Sequence, residues 1–207
     1  MLNVDGVYVT HYLPLTERRE NLSLLPFPFK LITAEPYGVT YTSDERNWFL
    51  KSGLPFRELK KSEISLAYKH MRVYEDISSN EYETALVLED DVILEDDFVP
   101  KFNDYLLRTP DDWDFIFIGS GCNLHVKNTE PGKVAYIKSN PATKCTDSYC
   151  IRGMAASLLL RNIIHFSLPI DFELNYWIEK LKLKVYWWEP PLVKQGSQVG
   201  LYGSSIQ

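Results

Sequence analysis

The sequence is poor in cysteine, has no long apolar run and carries no surplus of positive charge. Each absence excludes something. Three cysteines among 207 residues, Cys122, Cys145 and Cys150, show no metal-site spacing and leave one unpaired in any disulfide scheme. A reducing cytoplasm is therefore the simplest compartment. No apolar stretch reaches the roughly 18 residues of a membrane span, and the N-terminus lacks a signal-peptide pattern, so no transmembrane segment is expected. Lys and Arg number 22 against 28 Asp and Glu, a net charge of −6 with no basic run, so nucleic acid is not an expected partner. There is no internal repeat and no low-complexity segment. What remains is an ordinary globular composition, 45% hydrophobic and 24% charged, of a length that suits one domain with a full core. Aromatics reach 14%, including 13 Tyr and 5 Trp, side chains that serve as core or as platforms for sugars and bases.

The stretch that organises the chain is Thr84–Leu94, TALVLEDDVIL. Its aliphatic run without a turn former predicts a strand buried on both faces. Glu89, Asp90 and Asp91 then follow in a row. Burying three adjacent anions without partners is costly, so a cation or water must reach them. The rim of an open α/β sheet, where strands end, is a usual place for ligands. Strand alternation points Glu89 and Asp91 one way and Asp90 the other. Two hard oxygen ligands on one side suit Mg²⁺ or Mn²⁺ completed by phosphate oxygens. An acidic exit into a helix start containing Glu95, Asp96 and Asp97 explains the same residues without a ligand.

Around that stretch the chain alternates strands and helices. Strands are predicted over Val4–Thr10, Phe29–Ala34, Trp113–Gly119, Val134–Lys138, Thr146–Ile151 and Val185–Trp188. A short helix is predicted over Leu15–Leu25, one beginning at the capping-box spacing Thr42–Glu45, and others over Asp96–Leu107, Gly153–Arg161 and Phe172–Leu181. The clearest is Ser62–Ser78, where Ile64, Ala67, Met71, Tyr74 and Ile77 recur at helical steps, with Lys69 and His70 beside that stripe. The turn after the first strand carries His11, Arg18 and Arg19. Those arginines either grip a diphosphate or carboxylate or lie in a solvated turn beside Glu17 and Glu20. The pattern is α/β with a mostly parallel central sheet.

At this point the residues resemble glycosyltransferase family 25, the group of lipopolysaccharide and collagen β-galactosyltransferases. The resemblance is carried by VYVTHYLPLTERRENL, ELKKSEISLAYKHMRVYEDI, ALVLEDDVIL, DDWDFIFIG, TDSYCIRGMAASLLL, PIDFELNYW and LVKQGSQVGLYGSSIQ. The chain departs at Ile64-Ser65, where the family has Gly-Cys, and is short, like a minimal catalytic domain. The resemblance implies a GT-A fold, a Rossmann-like domain spanning 1–207, with a donor-binding half over about 1–121 and an acceptor half with a C-terminal lid over about 122–207. It implies a UDP-sugar donor, Mn²⁺ or Mg²⁺, and a glycan or glycoprotein acceptor. Asp91 matches the last acid of the family's DxD-type motif, the metal ligand, and Glu89 the first, near metal or ribose. Donor contacts are expected from Glu89, Asp90, Arg18, Arg19, Thr10 and Gln195, with Asp90 also holding its loop. The tail, with Gln195, Ser197 and Ser204, matches the segment that closes over the donor. The helix entered at Gly153 is expected to offer backbone N–H groups to the reacting sugar or acceptor.

Family members form β-linkages from α-linked donors, so inversion is implied, and inversion needs a carboxylate base. Asp171 is the first candidate, expected at the N-cap of a late helix with its pKa lowered by the helix amides; Glu173 is the alternative. Two other classes use similar residues: a metal phosphohydrolase or nucleotidyltransferase, and a non-catalytic sugar-binding module.

Overall fold

In a computed structural model that describes residues 1–203, the run Ala85–Leu88 is completely buried. Ala85 and Val87 enter one apolar cluster, Leu86 and Leu88 another. A strand with both faces covered can carry no polar residue along its length, which is why the acids wait until its end. In chain order the elements are β1 (Gly6–Thr10), α1 (Thr16–Leu22), β2 (Lys30–Ile32), β3 (Thr40–Tyr41), α2 (Glu45–Ser52) and α3 (Lys61–Ser79). Then come β4 (Thr84–Glu89), β5 (Val92–Leu94), α4 (Phe98–Arg108), β6 (Phe115–Phe117), β7 (Ala135–Lys138), β8 (Ser148–Arg152) and α5 (Gly153–Asn162). The last are β9 (His165–Phe166), α6 (Ile170–Leu181), β10 (Val185–Trp188) and β11 (Val193–Gln195).

Seven strands form the central sheet in the order β2-β1-β4-β8-β6-β10-β7. From the pairings, β2, β1, β4, β6 and β10 run one way and β8 and β7 the other. This is a mostly parallel α/β sheet flanked by helices. Residues of α3, α5 and α6 pack on one face and those of α1 and α4 on the other. The two halves expected along the chain share this sheet, since β7, β8 and β10 all come from the second.

Local signals explain most boundaries. At the start of α2, Asp44, not Thr42, is the N-cap and accepts from the amides of Arg46 and Asn47; Gly53 ends the helix in the left-handed region at φ 68°. In α3 the Glu63 carboxylate accepts from the Lys60 amide and from the Arg57 guanidinium, fixing the first turn.

Two expectations need correction. Cys122 and Cys145 form a disulfide across a separation of 23 residues, and only Cys150 is a free thiol, so the cysteines give no reason to prefer a reducing compartment. No helix among the described residues is long and apolar enough to cross a membrane. The N-terminus of α5 does not face the acids. β8 runs antiparallel to β4, pairing Arg152 with Thr84 and Ser148 with Leu88, so Gly153 lies at the opposite end of the sheet from Glu89. Its amide donates to the Glu83 carbonyl at 2.9 Å, and a Cβ there would overlap the Tyr82 carbonyl oxygen.

Gly153 is thus a packing requirement. Gly153→Ala is expected to destabilise the fold by about 1–3 kcal/mol as the strand-to-helix corner is pushed apart, and to leave ligand binding by the folded protein unchanged. A thermal melt and a ligand titration on the same sample check both halves.

Candidate active site

β4 stops at Glu89, and Asp90 and Asp91 form the turn that leads to β5. Breaking the strand there sends the three carboxylates to different partners. Asp90 reaches the loop after β1. It accepts from the Arg18 guanidinium at 2.7 Å, lies 2.8 Å from His11 Nδ1 and accepts from the Tyr12 amide at 3.3 Å. Arg18 and His11 are both buried, so this ion pair ties the first loop and α1 to the end of β4 from within. Arg18 also donates to the Gly203 carbonyl at 2.6 Å and lies over the Tyr202 ring.

Glu89 follows Ala85 and Val87 onto the α3 side of the sheet. Its Oε1 accepts from Thr146 Oγ1 at 2.7 Å and lies 3.8 Å from His70 Nε2. The other imidazole nitrogen of His70 is 2.7 Å from the Tyr149 hydroxyl, which is 2.9 Å from that of Tyr74. Asp91 is 2% exposed. One of its oxygens accepts from the Ser197 amide at 3.2 Å, while Oδ1 is buried without a hydrogen bond.

A fourth carboxylate joins them. Asp147 is buried beside Glu89, whose amide donates to the Asp147 carbonyl at 2.8 Å, and its Oδ1 also has no partner. The glycines of the Gly119-Ser-Gly121 turn make this possible: a Cβ at either position would overlap the Asp147 carboxylate. Burial, and then the charge of Glu89, push Asp147 well above the usual carboxylate range, and the same two causes raise Asp91. Nothing in the sequence singles out Asp147; it precedes β8 in step with Tyr149 and Ile151, which are buried in the α3-side cluster.

Of these groups His11, Arg18, Glu89, Asp90, Asp91 and Ser197 line a cavity of about 620 Å³, while Asp147 lies behind Glu89, outside its lining. Thr10, Arg18, Glu89, Asp90, Asp91 and Gln195 all border it; Arg19 does not, lying exposed on the outside of α1. A cation fits the acids' chemistry at Asp91, which buries an unpartnered oxygen at the cavity wall and whose carboxyl is raised first by burial and then by the charge of Glu89. Among the described residues no three His, Cys, Asp or Glu side chains gather closely enough to hold a metal unaided. A hard cation with one or two protein carboxylates takes its other oxygens from phosphate and water.

A second cavity, of about 480 Å³, adjoins the first and shares Leu66, Glu89, Gln195 and Ser197 with it. Asp171, Phe172, Thr146 and the Cys122–Cys145 pair line its far side. Here the helix-start expectation changes. Pro169 is the N-cap of α6 and Asp171 is the second residue of the helix. Burial outweighs the amides of Phe172 and Asp171 itself, so the carboxyl is pushed up to about 6 rather than lowered. Glu173, the alternative base, has different surroundings. It is fully enclosed, accepting from Lys51, from Trp177 Nε1 at 2.9 Å and from the amides of Ser167 and Leu168, and no part of it meets either cavity.

The tail borders the first cavity through Gln195 and Ser197. β11 pairs antiparallel with β5, and beyond it the Gly196 amide donates to the Asp91 carbonyl. Ser204 lies outside the described residues.

Compared with known families, the chain matches one described as glycosyltransferase family 25 (LPS biosynthesis protein) over residues 40–174. That is well over half of the chain. It contains Glu89–Asp91, Asp147 and Asp171, and leaves Arg18 and Gln195 outside. No match was found among curated proteins.

The raised Asp171 carboxyl has a consequence for stability. Below the unfolded value of 3.8 both states are protonated and the residue is neutral in its effect. Between 3.8 and about 6 the unfolded chain releases its proton first, so stability falls as pH rises, and the full cost persists above 6. Asp171→Asn is therefore expected to raise stability at pH 7.5 by about 1–3 kcal/mol and to raise it far less at pH 4.5. Melting curves at the two pH values test this; equal shifts would remove the buried-carboxyl explanation.

Proposed function

Because the chain belongs to glycosyltransferase family 25, we propose that it transfers a hexose, with inversion, from a UDP-sugar to a glycan or glycoprotein acceptor. The observation that carries this reading is the pair of adjoining cavities. One is headed by the acids at the end of β4, the other is bordered by Asp171, and Glu89 belongs to both walls. A donor and an acceptor need two such chambers with a shared boundary. A phosphohydrolase needs only one, and a binding module needs no buried unpaired carboxylates.

The roles divide by chemistry. Asp91 and Glu89 would hold Mn²⁺ or Mg²⁺, which when bound neutralises charge on the leaving diphosphate. Thr10 and Gln195 border the donor chamber, and the Arg18–Asp90 pair keeps the first loop in place along its wall. Thr146 and His70 keep Glu89 in one orientation. Asp171 receives the proton of the acceptor hydroxyl while that oxygen bonds to the anomeric carbon and the bond from that carbon to the diphosphate breaks. A carboxyl near 6 is mostly ionised at neutral pH and more basic than an ordinary aspartate, which suits a general base.

Two measurements test the reading. In calorimetry UDP should bind with Mn²⁺ and lose most of its affinity with EDTA, and Asp91→Ala should abolish the metal-dependent part while the protein stays folded. Unchanged UDP affinity with EDTA would sink the metal assignment. In a transfer assay over a panel of UDP-hexoses and glycan acceptors, Asp171→Asn should reduce turnover by roughly 10²-fold or more, with donor binding kept. The wild-type rate should climb with pH through about 6 and level off above it.

A further inference from the structure

Three cationic Lys or Arg side chains are buried among the described residues: Arg18, Lys69 and Lys144. Arg18 is paired with Asp90 and Lys144 with Glu189 at 2.8 Å. Lys69 has no carboxylate within ion-pair distance among the described residues. It is 5% exposed, and its ammonium makes one hydrogen bond, to the neutral Ser65 Oγ one turn earlier on α3, at 2.9 Å. The Tyr12 ring lies 5.6 Å from its Nζ. An ammonium has three donors, and a buried charge left with one neutral partner is a cost that folding alone does not offset.

Its position gives that cost a use. Lys69 lines the same cavity as Glu89, Asp90 and Asp91. Asp90 is engaged by Arg18 and His11, and Glu89 by Thr146. The partner that fits is an anion entering the cavity. A diphosphate with one divalent cation at Asp91 still carries negative charge, and its leaving oxygen gains more as the sugar departs. Lysine, a compact point charge, suits phosphate oxygens. Burial also lowers the pKa of Lys69, with Asp90, Glu35 and Glu89 opposing, so an anion would restore what burial removes.

Resting on the donor reading above, we infer that Lys69 is a second, protein-borne cation for the donor diphosphate, its ammonium donating to a phosphate oxygen. It acts beside the divalent ion and stabilises the same leaving group from another side of the chamber.

The test compares wild type, Lys69→Met and Lys69→Gln for binding of UDP and of uridine with Mn²⁺ present, with melting temperatures measured without ligand. Both variants should lose roughly 10- to 100-fold in UDP affinity, keep wild-type affinity for uridine and keep their response to EDTA. Lys69→Met should melt no lower than wild type, because an unpaired buried charge has become an apolar chain of similar length. UDP affinity unchanged in both variants, or uridine affinity falling in parallel with UDP, would overturn the inference. So would a sharp loss of melting temperature in both, which would make Lys69 a packing residue. A wild-type protein that binds no UDP would overturn the donor reading, and this inference with it; wild-type binding retained in the variants overturns the inference alone.

Discussion

Carboxylates that leave water must be met by positive charge or by donors, and four of them converge where β4 ends: Glu89, Asp90, Asp91 and Asp147. The protein meets this demand unevenly. Asp90 receives Arg18, His11 and a backbone amide, so it is an internal anchor. Glu89 receives Thr146 and the edge of His70. Asp91 has one amide, and Asp147 has the hydroxyl of Ser148 at 2.9 Å. A fold serving only its own stability would not stack its least satisfied anions in one place, where the charge of Glu89 adds to burial in raising both Asp91 and Asp147. Satisfying some completely and others hardly at all keeps the walls rigid while leaving unpartnered carboxylate oxygens at the strand end.

The fold was readable because its signals are strong and local. The unbroken apolar run at Ala85–Leu88 predicts a two-faced strand, and the helical stripe from Ile64 to Ile77 predicts α3 to within about a residue. β3 and β9, two residues each, carry no such local signal; they pair only with each other, through contacts distant in sequence. The site was legible in part for the same reason. Alternation placed Glu89 correctly, but the turn at Asp90-Asp91 ends the strand, so the later acids follow the turn. Arg18 and Arg19 are indistinguishable in sequence. Helical rotation in α1 buries one against Asp90 and leaves the other in solvent.

The start of α6 shows how two carboxylates a half-turn apart acquire opposite characters. Glu173 is surrounded by donors and serves to tie α6 to α2 through Lys51 and to β9 and its following loop through the Ser167 and Leu168 amides. Asp171 has little besides nearby backbone amides, and burial dominates its proton affinity. Sequence alone assigns both a favourable place near a helix N-terminus, where the dipole lowers a carboxyl pKa. Depth reverses that for Asp171. Helix-end electrostatics amount to a few tenths to about 1 kcal/mol at exposed sites, and desolvation readily exceeds that.

The C-terminal segment connects both ends of this arrangement. β11 is a short strand on β5, with only three residue pairs between Val92 and Leu94. Its hold on the body comes as much from the acids as from the ladder. Gly196 and Ser197 donate to Asp91, and Arg18, having paired with Asp90, donates its second nitrogen to the Gly203 carbonyl beneath the Tyr202 ring. A side chain at Gly196 would collide with Tyr202 and with the Asp91 carbonyl, so the close approach is built into the residue choice. The expected lid is, over residues 193–203, a docked wall. Beyond the β5–β11 pairs, residues 196–197 cover Asp91 and residues 202–203 cover Arg18. A ligand that takes up the free oxygen of Asp91 therefore acts on the tail directly, through the residue that holds it. The hold on the tail and an unpartnered oxygen thus belong to one carboxylate, that of Asp91.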